Sequence, residues 1–85
     1  MKITIDNPND HDIIQTYARM IPFPSYWQQN WNSFEECLRD ALSVRNELLV
    51  VHLFSESSLK LNSPYMDIIH RASADFPAFS YIFAP

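Results

Sequence analysis

The 85-residue chain contains no glycine. At the usual frequency of about 7%, about six glycines would be expected in a chain of this length. Their absence excludes the glycine-rich loops that hold nucleotide phosphates, both the P-loop and the dinucleotide-binding fingerprint. Turns that need a positive φ angle would have to use Asn or Asp instead. We therefore expect no nucleotide cofactor.

Cysteine, basic side chains and long apolar runs are also scarce. Cys37 is the single cysteine and cannot form an internal disulfide, which favours a reducing cytoplasm. Six Lys and Arg against ten Asp and Glu give a net charge of −4, which argues against nucleic-acid binding and favours a basic partner. No run approaches the roughly 18 apolar residues of a membrane span. With 47% hydrophobic residues, we expect one domain, residues 1–85, without a membrane partner.

Hydrophobic periodicity predicts alternating strands and helices. The run 47–54, ELLVVHLF, is nearly continuous and typical of a strand buried on both faces. Asp10 and Ser63 are predicted helix caps, the latter followed by Pro64. Long helical crossovers imply parallel strands, so we expect an α/β fold: a three-stranded parallel sheet packed with three to four helices. The predicted strands cover 2–6, 47–54 and 79–83. The predicted helices cover 11–21, a segment from near Asn30 or Asn32 to about Ser43, and 64–76, with a helical turn within 55–62.

A search for catalytic chemistry finds no candidate. The three histidines lie in three different elements without ligand spacing, and His52, inside the apolar run, is predicted to be a satisfied core or edge histidine rather than a ligand. Cys37 falls on an apolar helix side and is predicted to be a buried thiol. Glu35 and Glu36 would point about 100° apart, so they do not converge on a substrate. We expect neither an enzyme nor a metal site nor a small-molecule substrate.

The predicted second helix carries an acidic stripe, defined here as Asn32, Glu36 and Asp40. These residues are spaced by four and share one helix face, while Glu35 can pair with Arg39 one turn away. Glu36 and Asp40 repel each other, which the positive helix N-terminus would partly offset for Glu36. Charge of this kind most often marks a solvated face.

Large aromatic residues next to the stripe favour a binding role instead. Tyr26, Trp27 and Trp31 are predicted to lie in the proline-rich loop that leads onto the stripe, and residues 22–30 of this loop are called the aromatic loop here. Tyr and Trp are enriched at the centres of protein interfaces. An aromatic rim beside carboxylates suits recognition of a basic protein surface, although each of the three aromatics could equally pack in the core.

Residues 24–38 read P-x-Y-W-x-x-N-x-N-S-F-x-E-C-L and resemble the barstar family of intracellular ribonuclease inhibitors. The family has a proline, two aromatics, a spacer, an asparagine, and then a helix with acidic residues just before a Cys-Leu pair. The order of the predicted elements is similar along the whole chain. The resemblance implies a barstar-like fold in which this loop and helix plug the active site of a ribonuclease.

The resemblance also implies roles for single residues. Glu36, directly before Cys37, stands where the family has its dominant aspartate, and Tyr26 and Asn30 stand where it has an interface tyrosine and asparagine. Glu35 stands where an interface tryptophan is frequent. Two positions depart from the family, because Asn32 and Ala72 occur where interface carboxylates are expected. This departure favours a basic nuclease other than the family's best-known target.

We therefore expect an immunity protein that forms a 1:1 complex with a basic ribonuclease toxin and blocks its active site. Two alternatives remain: a barstar-like structural or regulatory interaction module without a nuclease partner, and a small enzyme. The expected partner-binding residues are Tyr26, Trp27, Asn30, Trp31, Asn32, Glu35, Glu36, Arg39 and Asp40.

Overall fold

A computed structural model describes residues 1–45 and 47–85. Within them lie three strands, three α-helices and a single 3₁₀ turn, as the hydrophobic periodicity predicts. The α/β prediction is confirmed. The strands are β1 (Lys2–Ile5), β2 (Leu48–His52) and β3 (Phe79–Phe83), the helices are α1 (Asp10–Met20), α2 (Trp31–Val44) and α3 (Tyr65–Asp75), and the 3₁₀ turn is Glu56–Ser58.

The three strands form one parallel sheet in the order β1-β2-β3. Val50 in the central strand is level with Ile3 on one side and Tyr81 on the other. Parallel neighbours in sequence order are joined by right-handed crossovers, which place every connecting helix on the same face of the sheet. The core therefore lies between this face and the three helices.

The expectation that β2 is buried on both faces is wrong. Leu48, Val50 and His52 point to the helices and are buried, whereas Leu49 and Val51 on the opposite face are only partly covered. Because all described helices pack on one face, no described helix covers the other. The continuous apolar run comes from β2 being the central strand, with a neighbour on each side, rather than from two layers of helices.

Asparagine side chains begin the first two helices. Asn9, not Asp10, is the N-cap of α1, and its Oδ1 accepts from the His11 backbone N–H at 2.8 Å. Asn30 caps α2 in the same way, accepting from the Ser33 N–H at 2.8 Å. Asparagine is a preferred N-cap because its side chain satisfies a backbone donor that the helix leaves without a partner.

Asp10 instead joins the starts of all three helices. One carboxylate oxygen accepts from Trp31 Nε1 at 3.3 Å, at the first residue of α2. The other accepts from Ser63 Oγ at 3.1 Å, two residues before α3. Ser63 Oγ also accepts from the Tyr65 N–H at 3.3 Å. The N-cap of α3 is nevertheless Pro64, so the prediction of Ser63 as the cap is wrong. A negative charge is favourable near helix N-termini, where the backbone donors carry partial positive charge.

We expect Asp10→Ala to lower the free energy of unfolding by about 1–3 kcal/mol, because Trp31 and Ser63 lose a charged acceptor. Asp12→Ala is the matched control: Asp12 lies in the same helical turn, and its carboxylate makes no hydrogen bond to the described residues. Urea unfolding of both variants measures the difference. Equal losses would mean that the Asp10 junction contributes nothing beyond its charge in the first turn.

A buried hydrogen-bond chain crosses the core from α1 to β3. His52 is 1% exposed, and its Nδ1 lies 2.8 Å from the Ile82 carbonyl. Since a carbonyl only accepts, Nδ1–H is the donor, and Nε2 accepts from the Tyr65 hydroxyl at 2.7 Å. Tyr65 in turn accepts from Tyr17 at 2.8 Å. The prediction of a satisfied core histidine is confirmed.

Because His52 is part of this buried hydrogen-bond chain, we expect the free energy of unfolding to depend on pH. Burial lowers the pKa of His52 from 6.5, against the smaller opposing effect of the Ile82 bond. The unfolded chain therefore takes up a proton first as the pH falls, so the free energy of unfolding is at its full value above about pH 7 and declines below about 6.5. His52→Gln should remove this slope between about pH 7 and 5. Urea unfolding at a series of pH values tests it, and an unchanged slope in the variant would contradict it.

Candidate protein-binding surface

Helix α2 is amphipathic, and its core side fixes its orientation. Phe34, Leu38 and Leu42 are buried against the sheet and the other helices. Cys37 is also buried and free, and burial raises the pKa of its thiol. The prediction of a buried thiol is confirmed. A thiol in such surroundings is not activated as a nucleophile. The residues between these positions must therefore point outward.

All three residues of the acidic stripe are exposed. Within residues 1–45 and 47–85, the carboxylates of Glu36 and Asp40 make neither a salt bridge nor a hydrogen bond. The expected offset by the helix N-terminus is absent: α2 begins at Trp31 and has no acidic residue in its first turn. Because the dipole acts only within that turn, both carboxylates keep their charge uncompensated.

Tyr26 lies beside the stripe and is 61% exposed. The pKa of its hydroxyl is raised, first by partial loss of hydration and then by nearby acidic groups, with Asp40 ahead of Glu36. The hydroxyl and the two carboxylates therefore face the same solvent. Together they present hydrogen-bonding groups and negative charge on a surface that the core does not use.

A shallow depression of about 400 Å³ separates Tyr26 from the stripe. Two of its residues, Gln28 and Ser33, were not found from the sequence. The Gln28 N–H donates to Ser33 Oγ at 2.9 Å, which ties the aromatic loop to the first turn of α2. Ser33 stands three residues after a capping asparagine, and this spacing could have indicated from the sequence that Ser33 takes part in the start of α2. The depression is lined by Tyr26, Gln28, Asn30, Asn32, Ser33 and Glu36.

Trp27 and Trp31 are half-buried and pack against the core. The Trp27 and Phe23 rings pack edge to face, with 5.6 Å between their centroids. The Trp31 ring lies 5.2 Å from that of Phe34, besides its bond to Asp10. Both tryptophans therefore anchor the aromatic loop and the start of α2, and neither lines the depression beside the acidic stripe.

Glu35 and Arg39 do not pair with each other, contrary to the i, i+4 expectation. Glu35 accepts from Arg71 of α3 at 3.0 and 3.2 Å, and Arg39 pairs with Asp75 at the end of α3. The Arg39 guanidinium also lies 5.3 Å from the centroid of the Phe76 ring. These two residues of α2 thus face α3, on the side of the helix next to the acidic stripe.

Ala72, which the family resemblance aligns with an interface carboxylate, is fully buried in α3. It therefore cannot contact a partner, and the exposed neighbour Arg71 is already engaged by Glu35. The position that the resemblance aligns with an interface carboxylate on α3 therefore offers no charge to a partner. The described residues contain no group of three His, Cys, Asp or Glu that could hold a metal ion. No described helix is both long and apolar enough to cross a membrane.

Comparison with known families identifies the fold. The family model described as Barstar (barnase inhibitor) matches residues 4–78, a range that includes all three helices, the aromatic loop and the acidic stripe. No curated protein matches the chain. Members of the matched family are ribonuclease inhibitors rather than enzymes. Since the match covers most of its length, the chain belongs to the barstar family.

Proposed function

We propose that the protein is an immunity protein that binds a cognate ribonuclease toxin 1:1 and blocks its active site. One observation carries the proposal: Glu36 and Asp40 are exposed and have no partner among the described residues, and they lie next to the exposed Tyr26. Like charges one turn apart destabilise a helix slightly, so nothing in the fold itself favours this arrangement. Binding of a cationic partner would favour two neighbouring carboxylates on this face.

The chemistry of the stripe suits a phosphate-binding active site. Ribonucleases hold the RNA backbone with cationic side chains, and a carboxylate offers such groups the same charge and hydrogen-bond acceptors as a phosphate oxygen. The net charge of −4 would attract a basic enzyme over a long range and speed association. The inhibitor would thus compete with RNA for the active site without any catalytic step of its own.

The proposed surface has a centre and an edge. Glu36, Asp40 and Tyr26 form its centre, where a partner cation would be stripped of water. In this proposal the exposed parts of the half-buried Trp27 and Trp31 belong to the edge. Glu35 and Arg39 lie at the α3 side of the surface, with their charges already paired. Asn30 and Asn32 contribute amide groups in the depression.

The reducing cytoplasm is the proposed place of action. Cys37 is buried as a free thiol and needs no disulfide partner for the fold. A cell that makes a ribonuclease toxin, or receives one from a competitor, must protect its own RNA in this compartment. The inhibitor would be effective there at stoichiometric amounts, because it blocks the enzyme rather than degrading it.

Co-expression tests the proposal. The product of the adjacent gene is produced in cells with and without this protein, and growth, RNA integrity and co-purification are scored. A product that degrades RNA, is neutralised by this protein and co-purifies with it 1:1 would support an immunity function. A harmless product that does not bind would instead favour a barstar-like structural or regulatory module. A variant with Glu36→Ala serves as the control for the site.

A further inference from the structure

Two ion pairs connect α2 to α3 and form what we call the ion-pair ladder. Glu35 pairs with Arg71, and Arg39 pairs with Asp75. On each helix the two charged residues are four positions apart, so the two ion pairs lie one helical turn from each other. The signs alternate: α2 contributes an acid and then a base, and α3 a base and then an acid.

The position of Arg39 on α2 makes the ladder relevant to the acidic stripe. Arg39 is three residues after Glu36 and four after Glu35, so either carboxylate lies within reach along the helix. Glu35 is occupied by Arg71 through two contacts, at 3.0 and 3.2 Å. Glu36 is therefore the carboxylate to which a released Arg39 would turn.

In the structure, the Arg39 guanidinium lies on the side of α2 that faces α3, away from Glu36. Asp75 supplies a carboxylate and Phe76 an aromatic face at 5.3 Å, and the Arg39 side chain is only 35% exposed. The pair with Asp75 is itself largely solvated, since the Asp75 side chain is 56% exposed. A pair of this kind contributes little to stability, so its effect on where Arg39 points is separable from any effect on folding.

We propose that Asp75 is a positioning residue of the partner-binding surface. It holds the Arg39 guanidinium on α3, so that this charge does not neutralise Glu36 and the acidic stripe stays anionic toward a basic partner. The identity of the partner rests on the proposed ribonuclease-inhibitor function, whereas the electrostatic effect on Glu36 does not. The ladder would thus set the charge that the partner meets, without touching the partner.

Charged nitroxide cosolutes test the proposal without any nuclease. A cationic and an anionic nitroxide are added separately, and the paramagnetic relaxation of amide protons reports how strongly each accumulates near a residue. The variants are Asp75→Asn, which removes the carboxylate that pairs with Arg39, and Asp75→Asn with Arg39→Gln, which removes the cation as well. Asp67→Asn is the matched control, because it removes one negative charge from an exposed residue two turns earlier on the same helix.

The ratio of cationic to anionic relaxation at the amides of Asn32 and Glu36 is expected to fall about twofold in Asp75→Asn. It should fall less in Asp67→Asn and return to the wild-type value in the double variant. An equal fall in Asp75→Asn and Asp67→Asn, or no recovery in the double variant, would overturn the proposal. Amide spectra of each variant establish that the fold is kept, and Asp75→Glu, which retains the carboxylate, should behave as the wild type.

The two proposals fail separately. If the cosolute ratios change as expected but no ribonuclease is bound, Asp75 positions Arg39 and only the immunity function is lost. If a ribonuclease is bound and inhibited but the ratios do not change, the inhibitor function stands and the role of Asp75 is wrong.

Discussion

Replacing Glu36 by alanine is expected to weaken binding of the cognate ribonuclease at least about 30-fold, equivalent to about 2 kcal/mol or more. In the proposed complex, the Glu36 carboxylate meets a cation of the active site from which water has been removed. Truncating one member of such a pair leaves the other buried and unpaired, which costs about 2–5 kcal/mol. The complex of barnase with barstar, from this same family, is one of the systems on which that range rests.

The effect should appear in binding and not in folding. Glu36 is exposed, and its carboxylate makes no hydrogen bond or salt bridge to the described residues, so the free energy of unfolding should change by no more than about 0.5 kcal/mol. Isothermal titration gives the affinity, and urea unfolding gives the stability. Relief of like-charge repulsion with Asp40 would, if anything, make the free inhibitor slightly more stable.

Glu56→Ala is the matched control for Glu36→Ala. Glu56 is also an exposed glutamate, and it lies in the 3₁₀ turn after β2 rather than on α2. Both variants remove the same net charge, so both should reduce the long-range attraction and its salt dependence. Only Glu36→Ala should also raise the dissociation rate. If the two variants weaken binding equally, the acidic stripe is not the centre of the interface.

Replacing Phe34 by alanine is expected to lower the free energy of unfolding by about 3–5 kcal/mol. The Phe34 side chain is fully buried, and its ring centroid lies 4.8 Å from Tyr17 and 5.2 Å from Trp31. Phe23 of the aromatic loop and Tyr65 of α3 are each 6.3 Å away. The substitution would therefore leave a cavity where the loop and all three helices meet.

The loss would be a large share of the total stability. For a chain of this length, the free energy of unfolding is about 4–13 kcal/mol. Phe34→Leu keeps an apolar side chain of intermediate volume and should lose distinctly less, which makes it the matched comparison. Urea unfolding at 25 °C, followed by near-ultraviolet circular dichroism of the aromatic residues, measures both variants. Equal midpoints for Phe34→Ala and the wild type would show that this cluster does not hold α2 in place.

Local patterns predicted the course of the chain well. The apolar residues of α2 recur at helical spacing, and an asparagine stands at its start, so its extent was predicted to within a residue at each end. The acidic stripe followed from the same periodicity, because residues four apart share a face whatever the rest of the protein does. Both features depend on neighbours along the chain.

Features that depend on packing between elements were not predictable in this way. Periodicity could not tell whether β2 lies between two helical layers or is central in a sheet with one, since both give a continuous apolar run. The i, i+4 rule offered Arg39 a partner on its own helix, but the approach of α3 supplied Asp75 and Phe76 instead. Asp10 was predicted as a cap, and the convergence of three helix starts gave it Trp31 and Ser63.

The sequence by itself therefore determined the kinds of elements, their order, the parallel sheet and the existence of a charged face on α2. Each of these follows from the spacing of apolar residues and from turn and cap residues that act locally. The tertiary structure decided which charges on α2 stay uncompensated. The charge of an exposed carboxylate stays uncompensated only if no cation from another element pairs with it. Among the described residues, α3 engages Glu35 and Arg39 and leaves Glu36 and Asp40 to the solvent.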